Sequence, residues 1–264
     1  MGLDHWGARW SRAGAAALLA GLLALAPFGG PAAAQDAAKT WHGALTLYGW
    51  LPGLEGSAAI PGSGLQSDFS VGADDLLEAV NFAAFATGEL RYGRYGLLAD
   101  LFYSNMSTSE TVGLLGRREI TTKTKLLLVT AFGSWRAWEG EQAFVDLLAG
   151  GRLGSSDLTL SLRVGGPPAV RRASADESWF DPLIGIRAGT KVTDRLSVTG
   201  IADIGGFGVG SNLTWEVFVG GSYAFTDRVS ADLGFRYLAI DYDASRLDLD
   251  LRMFGPAAGI TVRF

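Results

Sequence analysis

The sequence has no cysteine. That excludes a disulfide framework, a thiolate metal site and a lipid-modified N-terminal cysteine. It has only two histidines, His5 and His42, which leaves little for histidine-based catalysis. After the first segment, no apolar run reaches the ~20 residues of a membrane-spanning helix. Basic clusters are missing too: 22 Lys and Arg stand against 27 Asp and Glu. Nucleic acid is therefore not an expected partner.

The one long apolar run lies at the start. Arg9 and Arg12 precede residues 13–26, which are all Ala, Leu and Gly, and Ala32-Ala33-Ala34 stands just before Gln35. A charged region, an apolar region and a small-residue site in that order form the pattern of a secretory signal peptide. The run is too short to span a bilayer as a helix. Residues 1–34 are thus expected to be a cleaved signal peptide and residues 35–264 a single domain. Without Arg9, Arg12 and Asp4 the counts fall from 22 and 27 to 20 basic and 26 acidic side chains, a net charge of −6.

What is abundant is glycine, 37 residues, and aromatic side chains, interleaved with Ser, Thr, Asp and Arg. That mixture suits many strands with alternating faces. Tight turns mark their ends. Gly93-Arg94 separates two alternating segments, and Trp138-Glu139-Gly140-Glu141 separates two more. Val192-Thr193-Asp194-Arg195-Leu196-Ser197 and Phe225-Thr226-Asp227-Arg228-Val229-Ser230 are near copies, 33 residues apart. Longer connections fall near 52–79, 108–118, 154–177, 206–211 and 243–248. Short and long connections alternate, as in membrane barrels. About ten strands fit: 41–51, 80–92, 95–107, 119–137, 141–153, 178–192, 196–205, 212–225, 228–242 and 249–264. A further hairpin within 54–72 would make twelve, and merging segments would make eight. Residues 74–80 could form a short amphipathic helix, and the run 205–210 reads as a tight outer hairpin.

Each strand has one apolar face and one face with charge in mid-strand. Leu213, Trp215, Val217, Val219, Tyr223 and Phe225 oppose Thr214, Glu216 and Ser222. Val229, Ala231, Leu233, Phe235 and Tyr237 oppose Ser230, Asp232 and Arg236. A soluble sandwich also alternates, but here Tyr95, Tyr103, Tyr223, Phe225, Tyr237 and Phe264 lie near strand ends on the apolar face, like interfacial girdles. The fold expected is all-β: a closed antiparallel transmembrane β-barrel.

The chain ends with Ile260, Val262 and Phe264 on one face, an arrangement that suits a C-terminal insertion signal read by strand addition. Together with residues 47–56, 205–211, 225–228 and 235–238, this ending resembles small outer-membrane barrels of the OmpA/OmpX-like and OmpW-like type. It looks closest to a proteobacterial group of barrels of unassigned function. The resemblance covers most of residues 41–264. It implies a bacterial outer-membrane location and, during biogenesis, the insertion machinery and periplasmic chaperones as partners. Outer-membrane lipid and lipopolysaccharide are the surroundings, and the expected state is a monomer. It transfers no catalytic or ligand residue.

Eleven charges are expected to face the lumen: Glu89, Arg91, Asp100, Asp146, Arg152, Asp181, Arg187, Asp203, Glu216, Asp232 and Arg236. Acid and base in comparable number suit a salt-bridged plug. A narrow channel for ions or small solutes is the alternative, but about eight strands already leave an interior that side chains fill. Asp241, Asp243, Asp248 and Asp250 form a candidate cation rim, through oxygen ligands, or a solvated acidic rim. No cofactor is expected. A hydrolase or acyltransferase is disfavoured because His42 falls at the periplasmic end. The leading expectation is a barrel with a structural or envelope-interaction role.

Overall fold

The computed structural model describes residues 40–62, 65–75, 80–112, 118–164, 169–244 and 247–264. The expected signal peptide lies outside them. In chain order the described strands are β1 (Trp41–Trp50), β2 (Gly53–Ile60), β3 (Leu65–Val71), β4 (Val80–Tyr92), β5 (Tyr95–Val112), β6 (Arg118–Glu139), β7 (Ala143–Val164), β8 (Ala169–Lys191), β9 (Leu196–Gly206), β10 (Leu213–Ala224), β11 (Val229–Asp243) and β12 (Asp248–Arg263). Ten of them, β1 and β4 to β12, pair antiparallel in sequence order, and β12 pairs back with β1 to close the barrel. Closure gives each barrel strand a neighbour on both sides, which matters in lipid, where an unpaired backbone group is costly.

The other two strands form the hairpin that residues 54–72 could hold. β2 continues β1 along β12 in unbroken register: Trp50 opposes Ala257 and Gly53 opposes Phe254. Between them Pro52 has no N–H to give the ladder, while Leu51 N–H still donates to Pro256 O at 3.0 Å. β3 then folds back on β2. Residues 73–75 make one helical turn; of the expected helix over 74–80, residues 76–79 lie outside the described residues and Val80 instead begins β4.

The two near-copied turns make the same hydrogen bonds. Thr193 Oγ1 accepts from the N–H groups of Arg195 and Leu196 at 3.3 and 3.0 Å. Thr226 Oγ1 accepts from Arg228 and Val229 at 3.3 and 3.0 Å. The repeated Thr-Asp-Arg is thus a turn built by a side chain closing on its own backbone.

In the half of the barrel next to these turns, outward side chains are apolar. On β11 they are Leu233, Phe235 and Tyr237, with Leu233 66% exposed. On β8 they are Phe180, Ile184 and Ile186, and on β10 Val217 and Val219. Aromatic residues bound this band at both edges. Trp41, Tyr92, Tyr95, Trp135, Tyr223, Phe225 and Phe264 ring the turn end. Phe82, Tyr103, Phe180, Trp215, Tyr237 and Phe254 ring the other, where Trp215, Tyr237 and Phe254 stack across three strands at 4.6 and 5.9 Å. Tyr95 and Tyr103 lie eight residues apart on β5, which is ~20 Å along the membrane normal at a tilt of ~40°. That matches the height of a barrel's lipid-facing band.

Beyond the second ring the polarity of each strand inverts. On β11 the outward positions become Asp241 and Asp243, while the inward ones change from Asp232 and Arg236 to Leu238, Ile240 and Tyr242. On β7 the outward side passes from Leu153 to Ser155 and Asp157, and the inward side from Asp146 and Arg152 to Leu158. On β6, Lys123 and Lys125 face out and Leu126 and Leu128 face in. The inward residues of this outer half pack into one apolar core with Trp50, Leu54, Trp179, Leu249, Leu251 and Met253. The outer half is therefore a small water-facing β structure with a greasy interior, standing on a lipid-facing barrel with a charged one.

This corrects two sequence expectations. Residues 108–118 and 154–177 are not simply connections: β5, β6, β7 and β8 run on through most of them. The lumen is also not polar along its whole length. Both errors have one cause, since a strand whose solvent changes from lipid to water must exchange its faces, and that breaks a face pattern read along the sequence.

The β9–β10 hairpin is the exception and stops near the second ring. Gly206 and Gly208 take φ values of 85 and 74°, and Phe207 takes 52°, so the turn opens with three successive residues in left-handed backbone. The fully buried Asp181 secures it: Oδ1 accepts the Ser211 N–H at 2.6 Å and Oδ2 accepts Trp179 Nε1 at 3.0 Å. Above the hairpin, Trp179 of β8 and Tyr242 of β11 meet with ring centroids 4.8 Å apart and join the strands on either side.

The lipid assignment predicts an asymmetric response to charge. Val219→Arg, in the middle of the band, is expected to destabilise the barrel by about 2–4 kcal/mol, whereas Asp243→Arg changes stability little. Urea unfolding of protein folded into vesicles measures both.

Candidate functional site

Cross-strand register sets the first group of enclosed charges. Asp146 on β7 directly opposes Arg136 on β6 and Arg187 on β8. It accepts from Arg136 Nε, from Arg187 Nη2 at 2.9 Å and, across the lumen, from Arg91 Nη2 at 2.8 Å. Glu89 on β4 takes Arg187 as a bidentate pair, both bonds 2.8 Å, and Arg91 at 3.3 Å. Glu139 accepts from the free end of Arg136 at 2.8 Å. The Arg136 and Arg187 guanidinium groups also lie 4.2 and 5.3 Å from the Phe144 ring centroid.

The second group lies above it, below the apolar core. Glu216 on β10 accepts from both Arg236 at 2.8 Å and Arg152 at 3.0 Å. Arg236 also donates to Asp100 at 3.0 Å and to the Tyr48 hydroxyl at 2.5 Å, and Tyr48 in turn donates to Asp100 at 2.8 Å. The Trp50 ring caps the Arg236 guanidinium at 4.9 Å. Arg152 is 1% exposed and donates to Asp203, Thr130 and Thr214 at 3.2, 3.0 and 2.8 Å. A smaller chain runs beside it: Thr261 donates to Asp232 at 2.6 Å and meets Thr46 at 2.6 Å.

All eleven charges singled out from the sequence sit on inward positions. Nine belong to the two networks, Asp232 bonds to threonine, and Asp181 holds the β9–β10 hairpin. Sequence reasoning missed Arg136, Tyr48 and Thr130; it placed Thr214 on the face of Glu216 but did not count it among the network residues. Arg136 shares parity with Phe132 and Ser134, but it lies between two tryptophans near a turn. A bulge between Arg136 and Trp138 lets Trp135 and Trp138 both face outward and hides that parity.

The four rim carboxylates pair across the last hairpin. Asp241 opposes Asp250 and Asp243 opposes Asp248, so the four carboxylates share one outward surface. Asp241 accepts from Asn212 Nδ2 at 3.3 Å and Asp250 from Arg252 at 3.2 Å. Among the described residues no three His, Asp or Glu side chains converge in a metal-holding group. His42 lies at the exposed start of β1, within 3.1 Å of Thr40 Oγ1. At the C-terminus, Ile260, Val262 and Phe264 face outward, and the Phe264 ring lies over Gly43, where a Cβ would meet it at 2.3 Å.

No family profile and no curated protein sequence matches the chain. Solved structures do resemble it. The translocator domain of the autotransporter NalP from Neisseria meningitidis is 10% identical, with a TM-score of 0.46, covering 87% of this chain and 90% of that one. The transport unit of the autotransporter AIDA-I from Escherichia coli is 11% identical, with a TM-score of 0.39, covering 95% and 97%. Ail of Yersinia pestis, solved with the heparin analogue sucrose octasulfate, is 14% identical, with a TM-score of 0.33, covering 85% and 98%. With its closed barrel, lipid band and paired aromatic rings, the chain is an outer-membrane β-barrel.

Removing one partner of an enclosed ion pair strands the other. Arg236→Ala is expected to cost about 3–5 kcal/mol, because it leaves Asp100 and Glu216 short of a cation. Arg252→Ala, at the exposed Asp250 pair, costs under ~1 kcal/mol. Denaturant unfolding in vesicles distinguishes the two.

Proposed function

We propose that the protein is a non-conducting, non-catalytic outer-membrane barrel with an envelope-interaction role. In this reading the barrel anchors the outer β structure of β5–β8 and β11, β12, β2 and β3, which meets the outside. The observation that carries it is that the lumen is filled twice by different chemistry. Five arginines with their acids fill the lipid-level half, and an apolar core fills the half above. A channel would need a continuous wetted path through both.

The placement of His42 at the periplasmic rim supports a non-catalytic role. The outward surface supports contact with the envelope: directly above the lipid band it turns to Asp241, Asp243, Asp248, Lys123 and Lys125, at the level of lipopolysaccharide head groups. Contact with that lipid, and delivery by the insertion machinery and periplasmic chaperones through the Ile260–Val262–Phe264 ending, belong to the same proposal.

Planar-bilayer recording of the purified protein tests it. The expected record is a flat baseline. Steady single-channel steps that change in size in Asp100→Asn or Arg236→Lys would establish a narrow solute channel instead.

A further inference from the structure

The barrel's outer wall is not uniform. On β5, β6 and β7 the row Tyr95, Trp135 and Leu147 is followed by the row Leu97, Gly133 and Ala149. Large side chains thus stand next to small ones, and a groove of about 540 Å³ opens between them. Gly133 and Ala149 form part of its floor, and Leu97 and Leu147 line its sides. Trp41, Tyr92, Tyr95 and Trp135 surround its periplasmic end, with Trp41 and Tyr92 5.1 Å apart between ring centroids.

The position of the groove says what covers it. It opens on the lipid-facing wall, at the aromatic ring beside the short turns. Its solvent is therefore the acyl region of the periplasmic leaflet, and the lipopolysaccharide of the opposite leaflet is out of reach. Trp and Tyr at such a ring sit at the head-group level, with the apolar part of the ring toward the chains. A cation stands at the same level: Arg94 lies in the turn between Tyr92 and Tyr95 and is exposed. Its carbonyl accepts the Arg136 N–H at 2.8 Å, which ties the turn to β6 beside Trp135.

We propose that this groove is a binding site for one anionic phospholipid of the periplasmic leaflet. An acyl chain lies over Gly133 and Ala149 between Leu97 and Leu147. The phosphate faces Arg94, and the aromatic rim holds the glycerol region. The site is independent of whether the lumen conducts, since it lies on the opposite face of the wall.

Native mass spectrometry of the detergent-purified full barrel tests this, with phosphatidylglycerol, phosphatidylcholine and lipopolysaccharide added separately. Wild-type protein is expected to retain one phosphatidylglycerol in preference to phosphatidylcholine. Gly133→Leu fills the groove. A Cβ there meets only Ala149 O, at 3.7 Å, so the wall accommodates it. Retention should fall at least about ten-fold in this variant. Arg94→Gln should keep lipid binding but lose the preference for the anionic head group. Heat-shifted gel mobility checks that both variants fold. Equal retention in wild type and Gly133→Leu overturns the proposal. So does preferred binding of lipopolysaccharide, or a dimer that Gly133→Leu dissociates, which would make a second copy the occupant. If Gly133→Leu fails to fold, an unchanged head-group preference in Arg94→Gln overturns it alone.

Discussion

The structure depends on one constraint: each long strand passes from lipid into water, and its two faces must exchange character where the solvent changes. Keeping apolar surface out of water is the main favourable term along the whole strand, but at one level lipid does this outside the wall and at the other the protein interior must. In lipid the outward face is free to be Leu, Phe and Val, and the backbone must close on itself. In water the same outward parity carries Asp, Ser and Lys, and apolar side chains turn in. Leu233, Phe235, Tyr237, Asp241 and Asp243 on β11 show the whole transition along one face.

The exchange explains why two interiors are stacked in one barrel. At lipid level the outward face takes the apolar side chains, so the inward face holds what is left, and charge there must be paired and hydrogen-bonded. Asp146 among three arginines and Glu216 between two are the outcome. Such networks are a modest source of net stability, because desolvating the ions offsets much of their attraction. They penalise slippage, since moving a strand by one residue would carry Arg152 or Asp146 into lipid. Above the ring the core from Trp50 to Met253 is ordinary hydrophobic packing; β1 parts from β4 after the Leu47–Ala86 pair, and β2 stays on β12 across the Pro52 interruption.

Much of this was legible in the sequence. Turn residues gave the strand ends on the short-turn side to within a few positions, since the left-handed Gly93 and the hydroxyl-closed Thr-Asp-Arg turns are local features that need no tertiary context. Parity gave the inward charges because charge in mid-strand contrasts with Leu and Phe on the other face. The outer halves of β5 to β8 were obscure, because Leu158 facing in and Asp157 facing out reverse the rule that holds for Leu153 and Arg152 a few residues earlier. The pairing of charges was not legible at all. Arg187 meets Glu89 across 98 residues and Arg236 meets Tyr48 across 188, and only the closed barrel brings them together. Arg136 was hidden by a single bulged residue.

A cysteine-free chain offers a direct test of where the solvent changes. Single cysteines placed at outward positions 233, 235, 237, 241 and 243 of β11, in protein folded into vesicles, can be challenged with a membrane-impermeant maleimide. Rapid labelling at 241 and 243, with protection at 233, 235 and 237, is the predicted pattern. Uniform labelling along the strand would mean that water bathes this face throughout, and the exchange of faces would lose its cause.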